Sequence, residues 1–467
     1  MELNSDMLWE NREANIDQNV FAVLEDKTYS YEETFVFADE IFSSCTRSIV
    51  LILCNRDFET IVGYLGSLRN RIVPLLLDGS IREESLHFYI DVYRPRYIFL
   101  QSGKVKLKGY KSKSTFLSYN LLERNDDETY AIAEELTLLL PTSGSTGDPK
   151  CVRLSAKNID ACVTSVCSYL DMVEGRRSVS LLPFHYSYGL SVLHNTIQSR
   201  SSILLSQASV LERNFWDLLE DKAVTDFSAV PFIYETIKRF KFSKIILENF
   251  VCMTQAGGRL DPKITEHFLD ICSANNISYF TMYGQTEASP RISFVPTHKA
   301  KSNLGSVGIP ISCGEAYIAE TRKKIGKGEL LYKGDNVCLG YAYSLKDLCL
   351  GDELKGLLHT GDQVEISEDG YIRIVGRRKR FIKVQGLSVN LDYVETVLRK
   401  QDPSCAVIGK ENRVLVVHTK NNISNLEECI SAHFQFHRSN VKLVHESEIP
   451  LTSSGKIHYA ALAEKYL

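Results

Sequence analysis

Apolar and polar positions follow two alternating patterns over the first two thirds of the chain. Short apolar runs, such as those at 48–55 and 72–78, have the length and composition of buried strands. The stretch between them, 57–70, repeats its apolar residues at helical spacing. The strand-like pattern returns at 96–100, 201–206, 226–231 and 277–284. Strands that alternate with helices in this way predict an α/β fold with doubly wound, mostly parallel sheets.

The last quarter has a different pattern. "GELLYKGDNVCLGYAY" and "GYIRIVGRRKRFIKVQG" contain short β runs separated by turns, which predicts a small β-barrel-like part. Beyond residue 390, a helical stretch, a hairpin-like pair and a second helical stretch predict a small α+β module. The join lies within 376–381, so we expect a large N-terminal domain over 1–378 and a small C-terminal domain over 379–467.

Composition narrows the class of protein. The 467 residues are 44% hydrophobic and 24% charged, with a net charge of −4. This balance suits a globular protein and argues against a dedicated nucleic-acid binder. We find no secretory signal pattern and no apolar run near the roughly 18 residues of a membrane helix. The 12 cysteines form no CxxC pair, which predicts reduced thiols in a cytoplasmic protein.

The loop "PTSGSTGDPK" (141–150) carries the first candidate chemistry. Its glycines let backbone N–H groups approach a phosphate closely, and Lys150 adds a positive charge. Four hydroxyl side chains add donors: Thr142, Ser143, Ser145 and Thr146. The loop is not the Walker pattern GxxxxGK[ST], because Pro149 stands at the glycine position and Cys151 replaces the magnesium-binding hydroxyl. Strand-like residues flank it, so we expect it to connect two strands; a solvated Ser/Gly turn is the alternative.

Three further segments carry candidate chemistry. "MYGQTEAS" (282–289) places an aromatic ring, a glycine, a hydroxyl and a carboxylate at the end of a predicted strand, where doubly wound sheets bind ligands. Asp362 and Arg377 lie in the segment 357–377, and Lys456 lies in a Ser/Gly loop. Taken singly, Asp362 suits a turn and Lys456 suits an exposed surface position.

In this order the four motifs resemble those of the adenylate-forming superfamily, which includes acyl- and aryl-CoA synthetases, nonribosomal adenylation domains and luciferases. The resemblance extends from "TYSYEE" (28–33) to Lys456. It implies an enzyme that uses ATP and Mg²⁺ to convert a carboxylic acid to an acyl-adenylate and releases pyrophosphate. A thiol, on CoA or on a carrier protein's phosphopantetheine, then takes the acyl group.

The resemblance also implies a role for each matching residue. The loop residues that would cradle the phosphates are Thr142, Ser143, Gly144, Ser145, Thr146, Gly147 and Lys150. Tyr283 would stack on adenine, Thr286 would contact phosphate and Glu287 would hold Mg²⁺. Lys456 would bridge the acid and the α-phosphate, where positive charge must separate two anions. The other expected nucleotide-site residues are Gly257, Gly258, Gly284 and Ile374, with Asp362 and Arg377 at the ribose.

The segment "LPFHYSYGLSV" (182–192) would form the acyl pocket through His185, Tyr186, Tyr188 and Gly189. Members that activate α-amino acids carry an Asp where this chain has His185, so the resemblance implies an acid without an α-amine. The two aromatic rings favour a short or flat acid, or one with a polar group that bonds the phenols.

The basic cluster 376–383 has two interpretations. It could be a nucleic-acid patch, but in the superfamily this position is the hinge of a mobile C-terminal domain, and Lys379 matches the hinge residue. Lys383 and Gly386 would then lie by the thiol channel.

The acceptor stays open at this point. It could be CoA, a carrier protein only, or an amine. A non-enzymatic scaffold is a further alternative, and four retained charged residues argue against it: Lys150, Glu287, Asp362 and Lys456.

Overall fold

The computed structural model describes residues 7–9, 18–142, 150–239, 248–377, 380–384, 387–399, 402–419, 430, 440–452 and 456–467. The chain divides into two compact units. The first unit comprises Met1–Ser143, Pro149–Glu315 and Lys333–Leu358, and the second comprises Gly144–Asp148, Ala316–Tyr332 and His359–Leu467. The predicted domain boundary between residues 378 and 379 falls within the second unit and stays a prediction.

The strands are numbered in chain order. Those up to the loop are β1 (Val20–Val23), β2 (Thr28–Ser30), β3 (Ile49–Cys54), β4 (Val73–Asp78), β5 (Tyr97–Gln101), β6 (Tyr110–Phe116), β7 (Tyr119–Arg124) and β8 (Leu136–Thr142). The next are β9 (Lys150–Ser155), β10 (Arg177–Val179), β11 (Ser202–Leu204), β12 (Asp226–Ala229), β13 (Cys252–Gln255), β14 (Ser278–Tyr283), β15 (Ser293–Phe294), β16 (Ile309–Pro310) and β17 (Gly314–Ile318). The last are β18 (Gly326–Gly334), β19 (Gly340–Ala342), β20 (Leu357–Ile366), β21 (Ile372–Arg377), β22 (Phe381–Val384), β23 (Leu387–Asn390), β24 (Ala406–Lys410), β25 (Arg413–His418) and β26 (Val441–His445).

The α-helices among the described residues are α1 (Tyr31–Phe42), α2 (Phe58–Arg69), α3 (Glu83–Tyr93), α4 (Ala156–Leu170), α5 (Ser187–Gln198), α6 (Arg213–Asp221), α7 (Pro231–Arg239), α8 (Pro262–Ala274), α9 (Leu391–Leu398) and α10 (Tyr459–Tyr466). The local sequence explains where helix α4 begins. Ser155 caps α4, because its hydroxyl accepts from the Asn158 backbone N–H while the Asn158 side chain bonds back.

The first unit contains two large sheets. One has eight strands in the order β19-β9-β8-β4-β3-β5-β7-β6, and the other has nine in the order β16-β15-β14-β13-β12-β10-β11-β1-β2. The central strands pair in parallel, as in β8-β4-β3-β5 and β11-β10-β12-β13-β14. Antiparallel pairs complete the edges. The predicted α/β fold with mostly parallel sheets is confirmed.

Strand β3 shows why the eight-stranded sheet is doubly wound. All six of its residues are buried, and alternate side chains enter different cores because successive residues point to opposite faces. Val50 and Ile52 pack with helices α1, α2, α4 and α5, whereas Leu51 and Leu53 pack with α3. Helices therefore cover both faces, and the strand is apolar throughout as such burial requires.

The second unit contains smaller sheets. Strands β17, β18, β20 and β21 form an open four-stranded sheet, β22 pairs with β23, and β24, β25 and β26 form a third sheet with α9 and α10 beside β24. The prediction of a β-barrel-like part is wrong for the described residues, because the four strands do not close: β17 and β21 are edges. The predicted α+β character of the segment after residue 390 is confirmed.

The sequence predicted no membrane-spanning helix and cysteines that are reduced thiols. No helix among the described residues has the length and apolar character needed to span a bilayer. The described cysteines are free thiols, most of them buried.

Candidate active site

The predicted phosphate loop lies at the tip of an antiparallel pair. Strands β8 and β9 flank it, and Thr142 stands directly opposite Lys150. The predicted connection between two strands is therefore confirmed. The Thr142 hydroxyl is buried and has no hydrogen-bond partner among the described residues. Five predicted loop residues lie outside the described residues: Ser143, Gly144, Ser145, Thr146 and Gly147.

Lys150 and Glu287 are joined through a residue that the sequence did not reveal, Tyr341. The Lys150 ammonium lies 3.2 Å from the centroid of the Tyr341 ring, a cation–π contact. The Tyr341 hydroxyl donates to Glu287 Oε1 at 3.0 Å. Burial, and then the charge of Glu287, raise the pKa of Tyr341, so the phenol keeps its proton and stays a donor.

Glu287 and Thr286 belong to a short 3₁₀ turn that follows β14. The Glu287 backbone carbonyl accepts from the Cys338 N–H at 2.9 Å, which fixes the turn against the segment leading to β19. The Thr286 hydroxyl lies 3.2 Å from the hydroxyl of Ser187, the first residue of α5. These bonds place a carboxylate and a hydroxyl side by side at the end of a parallel strand, where ligands of such sheets bind.

Strand β19, which carries Tyr341, is held by a buried arginine. Arg153 in β9 donates from Nε to the Tyr341 carbonyl at 3.0 Å and forms an ion pair with Glu353. Gly340 leaves the space for that pair, because a Cβ there would stand 2.6 Å from Glu353 Oε2 and 2.9 Å from Arg153 Nη2. Backbone and side-chain contacts together therefore fix Tyr341 beside Lys150.

The residues predicted for the adenine side also lie in the first unit. Tyr283 ends β14 and is buried, and Gly284 follows it directly. Gly257 has a φ of +87°, and a Cβ there would stand 2.4 Å from the Tyr186 hydroxyl, so glycine is needed for both reasons. The Gly258 carbonyl accepts from the Gln255 side chain at 2.9 Å.

The predicted acyl-pocket residues lie at and just before the start of α5. His185 Nε2 is 3.7 Å from Asp78 Oδ2, and burial lowers the pKa of His185 while Asp78 opposes the shift. Tyr186 and Tyr188 have ring centroids 6.4 Å apart. The Tyr188 hydroxyl is already bonded to Thr254 Oγ1 at 2.7 Å, so it is less available to a substrate than the sequence suggested. Gly189 lies in the first turn of α5.

The residues predicted to bind ribose lie in the second unit. Asp362 and Arg377 are opposite each other in the β20–β21 pair, and Arg377 Nε donates to Asp362 Oδ1 at 3.1 Å. The Asp362 side chain is 6% exposed and that of Arg377 is 68% exposed. Ile374 lies in the same strand as Arg377 and pairs with Val364.

Lys456 stands at the base of a small loop in the second unit. Its carbonyl accepts from the Thr452 N–H at 2.6 Å, and Leu451 forms an antiparallel bridge with Ile457. Its side chain is accessible to solvent, yet its surroundings desolvate the ammonium group. Desolvation, and then the positive charge of Arg377, lower the pKa of Lys456 to about 8.

Of the three residues predicted for the hinge and the thiol channel, the structure describes the backbone of one. Lys379 and Gly386 lie outside the described residues. Lys383 lies in β22, opposite Ser388.

A strand-end carboxylate, a lysine on an aromatic ring and a buried hydroxyl with no partner among the described residues suit a site that binds a phosphate-bearing ligand. The chain belongs to the AMP-binding enzyme family, whose model matches residues 15–342. The resemblance to adenylate-forming enzymes, and with it the class of AMP-forming ligase, is confirmed.

Curated relatives cover most of the chain. A 2-succinylbenzoate–CoA ligase of Staphylococcus epidermidis is 26% identical over 72% of this chain and 71% of its own. An oxalate–CoA ligase of Arabidopsis thaliana is 23% identical over 90% of this chain and 88% of its own.

Solved structures share the fold. The o-succinylbenzoate CoA synthetase of Bacillus subtilis, in complex with its acyl-adenylate intermediate, covers 95% of each chain at 20% identity with a TM-score of 0.75. The same synthetase is also known with ATP and a magnesium ion.

Proposed function

We propose that the protein activates a carboxylic acid with ATP and transfers the acyl group to the thiol of CoA. The observation that carries this proposal is the contact series from Lys150 through Tyr341 to Glu287, beside the unpartnered hydroxyl of Thr142. It brings a cation and a hydroxyl donor of the eight-stranded sheet close to a carboxylate that follows β14 of the nine-stranded sheet. Family membership and the CoA ligases among the relatives support the same reaction.

The residues present fit ATP. A buried hydroxyl without a partner is costly unless a ligand completes it, and a nucleotide phosphate would complete Thr142. Lys150, opposite Thr142, supplies the charge that phosphates require.

The residues also fit Mg²⁺. No cluster of three acidic, histidine or cysteine ligands occurs among the described residues. Mg²⁺ is commonly held by one or two carboxylates together with substrate phosphates, so Glu287 is a sufficient protein ligand. When bound, the ion supplies positive charge to the phosphates.

In the first half-reaction a carboxylate oxygen of the acid bonds to the α-phosphorus of ATP, and the bond to pyrophosphate breaks. Thr286 contacts the phosphates and Tyr283 positions adenine. Asp362 accepts hydrogen bonds from the ribose hydroxyls, and Arg377 orients that carboxylate by donating to it. Lys456 supplies positive charge between the two anions, which stabilises the charge that develops in the transition state.

In the second half-reaction the thiolate attacks the acyl carbon and AMP leaves with the electron pair of the broken C–O bond. We keep Lys379 as the predicted hinge of the C-terminal domain, and Lys383 and Gly386 as the residues predicted for the thiol channel. In this proposal different segments of the chain bind the nucleotide, the acid and the thiol.

The acid lacks an α-amine, because His185 stands where an amine-binding carboxylate would be needed. The acids named for the two curated ligases, 2-succinylbenzoate and oxalate, each carry two carboxyl groups and no amine. We therefore expect no pyrophosphate exchange with common amino acids.

The test is acid-dependent ATP–pyrophosphate exchange over a panel of carboxylic acids, followed by thioester formation with CoA or with a phosphopantetheinylated carrier protein. Glu287→Gln should weaken apparent Mg²⁺ affinity, and Glu84→Gln, an exposed carboxylate in the first turn of α3, is the matched control. Exchange without any thioester on CoA would contradict the proposed acceptor. An unchanged Mg²⁺ titration in Glu287→Gln would contradict the role of that carboxylate.

A further inference from the structure

Arg291 is a buried arginine that forms no ion pair with any carboxylate of the described residues. It lies between the 3₁₀ turn of Glu287 and strand β15, and it is 2% exposed. Its Nη2 donates to the Ser191 hydroxyl at 3.2 Å and its Nη1 to the Pro290 carbonyl at 3.4 Å. Its Nε is buried and forms no hydrogen bond within the geometric limits among the described residues, although the neutral Tyr169 phenol lies near the guanidinium.

The other buried arginines show that this is an exception. Four arginines among the described residues are buried, and three of them form ion pairs with carboxylates. These three are Arg124 with Asp126, Arg153 with Glu353 and Arg176 with Asp226. A guanidinium keeps its charge in proteins, and an unpaired charge in the interior is strongly destabilising. The surroundings of Arg291 therefore call for an anion that the described chain does not supply.

The groups around Arg291 are neutral. Its guanidinium lies 4.4 Å from the centroid of the Tyr188 ring. Burial raises the pKa of Tyr186, Tyr188 and Cys162 to about 12, and the charge of Arg291 opposes each shift. These groups all keep their protons near neutral pH, so they solvate the guanidinium without neutralising it.

Arg291 lies beside the residues proposed to bind the carboxylic acid substrate. Its contacts Tyr188 and Ser191 belong to the first turns of α5, the helix that carries the proposed acyl pocket. The positive charge also acts on Tyr186, whose hydroxyl abuts Gly257. The Nη2 group of Arg291 donates to Ser191, but its Nε–H donates to none of the described residues. The guanidinium can therefore still donate a hydrogen bond from Nε. A carboxylate is the acceptor whose planar shape matches the guanidinium.

We propose that Arg291 is a specificity-determining residue that binds a second carboxylate of the substrate, so that the enzyme selects dicarboxylic over monocarboxylic acids. This inference rests on the proposed acid-activating function. A site built around a buried polar group discriminates strongly against analogues that leave it unpaired. We expect kcat/KM for a dicarboxylic acid to exceed that for its monocarboxylic counterpart by about 100-fold or more.

The wild-type enzyme provides the first test. ATP–pyrophosphate exchange is measured with dicarboxylic acids of increasing chain length and with aromatic diacids, each paired with the monocarboxylic acid of equal carbon number. A preference for the diacid in the best pair supports the inference. A preference for monocarboxylic acids would overturn it and leave the proposed function intact. Exchange with no acid of any kind would overturn both.

Variants provide the second test. Arg291→Met keeps the length of the side chain and removes the charge, so KM for the diacid should rise about 100-fold and the preference should vanish, while KM for ATP stays close to wild type. Arg291→Lys should recover part of the preference. Arg213→Met is the control, because its side chain is 93% exposed. A folded Arg291→Met enzyme with unchanged acid preference would overturn the inference. If that variant does not fold, the wild-type ratios decide.

Discussion

The Tyr341 side chain has two roles: its hydroxyl bonds to Glu287 and its ring contacts Lys150. Removing the hydroxyl oxygen alone tests the first role and leaves the second intact. Tyr341→Phe removes the hydrogen bond to Glu287 and keeps the ring under the Lys150 ammonium. A hydrogen bond to a charged group contributes about 1.5–3 kcal/mol. At about 1.4 kcal/mol per factor of ten, the loss corresponds to roughly a 10- to 100-fold change, which is also the range expected when a partner of a metal ligand is removed.

The assay is a Mg²⁺ titration of acid-dependent pyrophosphate exchange at saturating ATP and acid. We expect the half-saturating Mg²⁺ concentration to rise in Tyr341→Phe, because Glu287 loses the group that orients it. Tyr343→Phe removes the same atom from a ring that lies 5.9 Å from the Lys150 ammonium and is 57% exposed, so it should titrate like wild type. Tyr341→Leu, which also removes the ring, should in addition raise KM for ATP.

Equal Mg²⁺ midpoints in wild type and Tyr341→Phe would refute this reasoning, provided that melting temperatures show both proteins folded. The hydroxyl would then serve only to satisfy a partly buried carboxylate, and Glu287 would have to be oriented by its backbone bond alone.

The remaining predictions concern Lys456 and Gly257. Lys456→Ala should slow adenylation by roughly 10²–10³-fold yet spare thioester formation from supplied acyl-adenylate, and normal exchange in the variant would contradict its role. Because the pKa of Lys456 is lowered to about 8 and the charged ammonium is the active form, the exchange rate should fall as pH rises through about 8, and Lys456→Ala should lose that limb of the profile. Gly257→Ala should impair folding or activity because its Cβ would stand 2.4 Å from the Tyr186 hydroxyl, whereas Gly175→Ala, at the same φ of +87° with no atom within 4 Å, should cause only backbone strain; equal melting temperatures and activities of the two variants would disprove the close approach.

The sequence predicted best the features that depend on residues close together along the chain. The strands on both sides of the loop follow from the hydrophobic pattern of the flanking residues. Tyr341 could not be found in this way, since β19 reaches the loop only by pairing with β9. The β-barrel-like part was predicted wrongly for the same reason, because closure depends on which distant strands become edges.

Arg291 illustrates a different limit. It lies four residues after Glu287, within reach of the motif that the sequence made conspicuous. A sequence shows that an arginine is present, but only the structure shows that it is buried and that no carboxylate in the described part of the chain meets it. The signal that distinguishes a surface arginine from a recognition arginine is therefore absent from local patterns.

The packing of Gly340 against the Arg153–Glu353 pair has a consequence for how this site can change during evolution. A side chain at Gly340 would collide with both partners, and loss of either partner would weaken the side-chain support of the strand that carries Tyr341. No single substitution among the three is therefore expected to be neutral. Across divergent homologues they should be retained or replaced as a set, and their joint replacement should accompany a change at Tyr341.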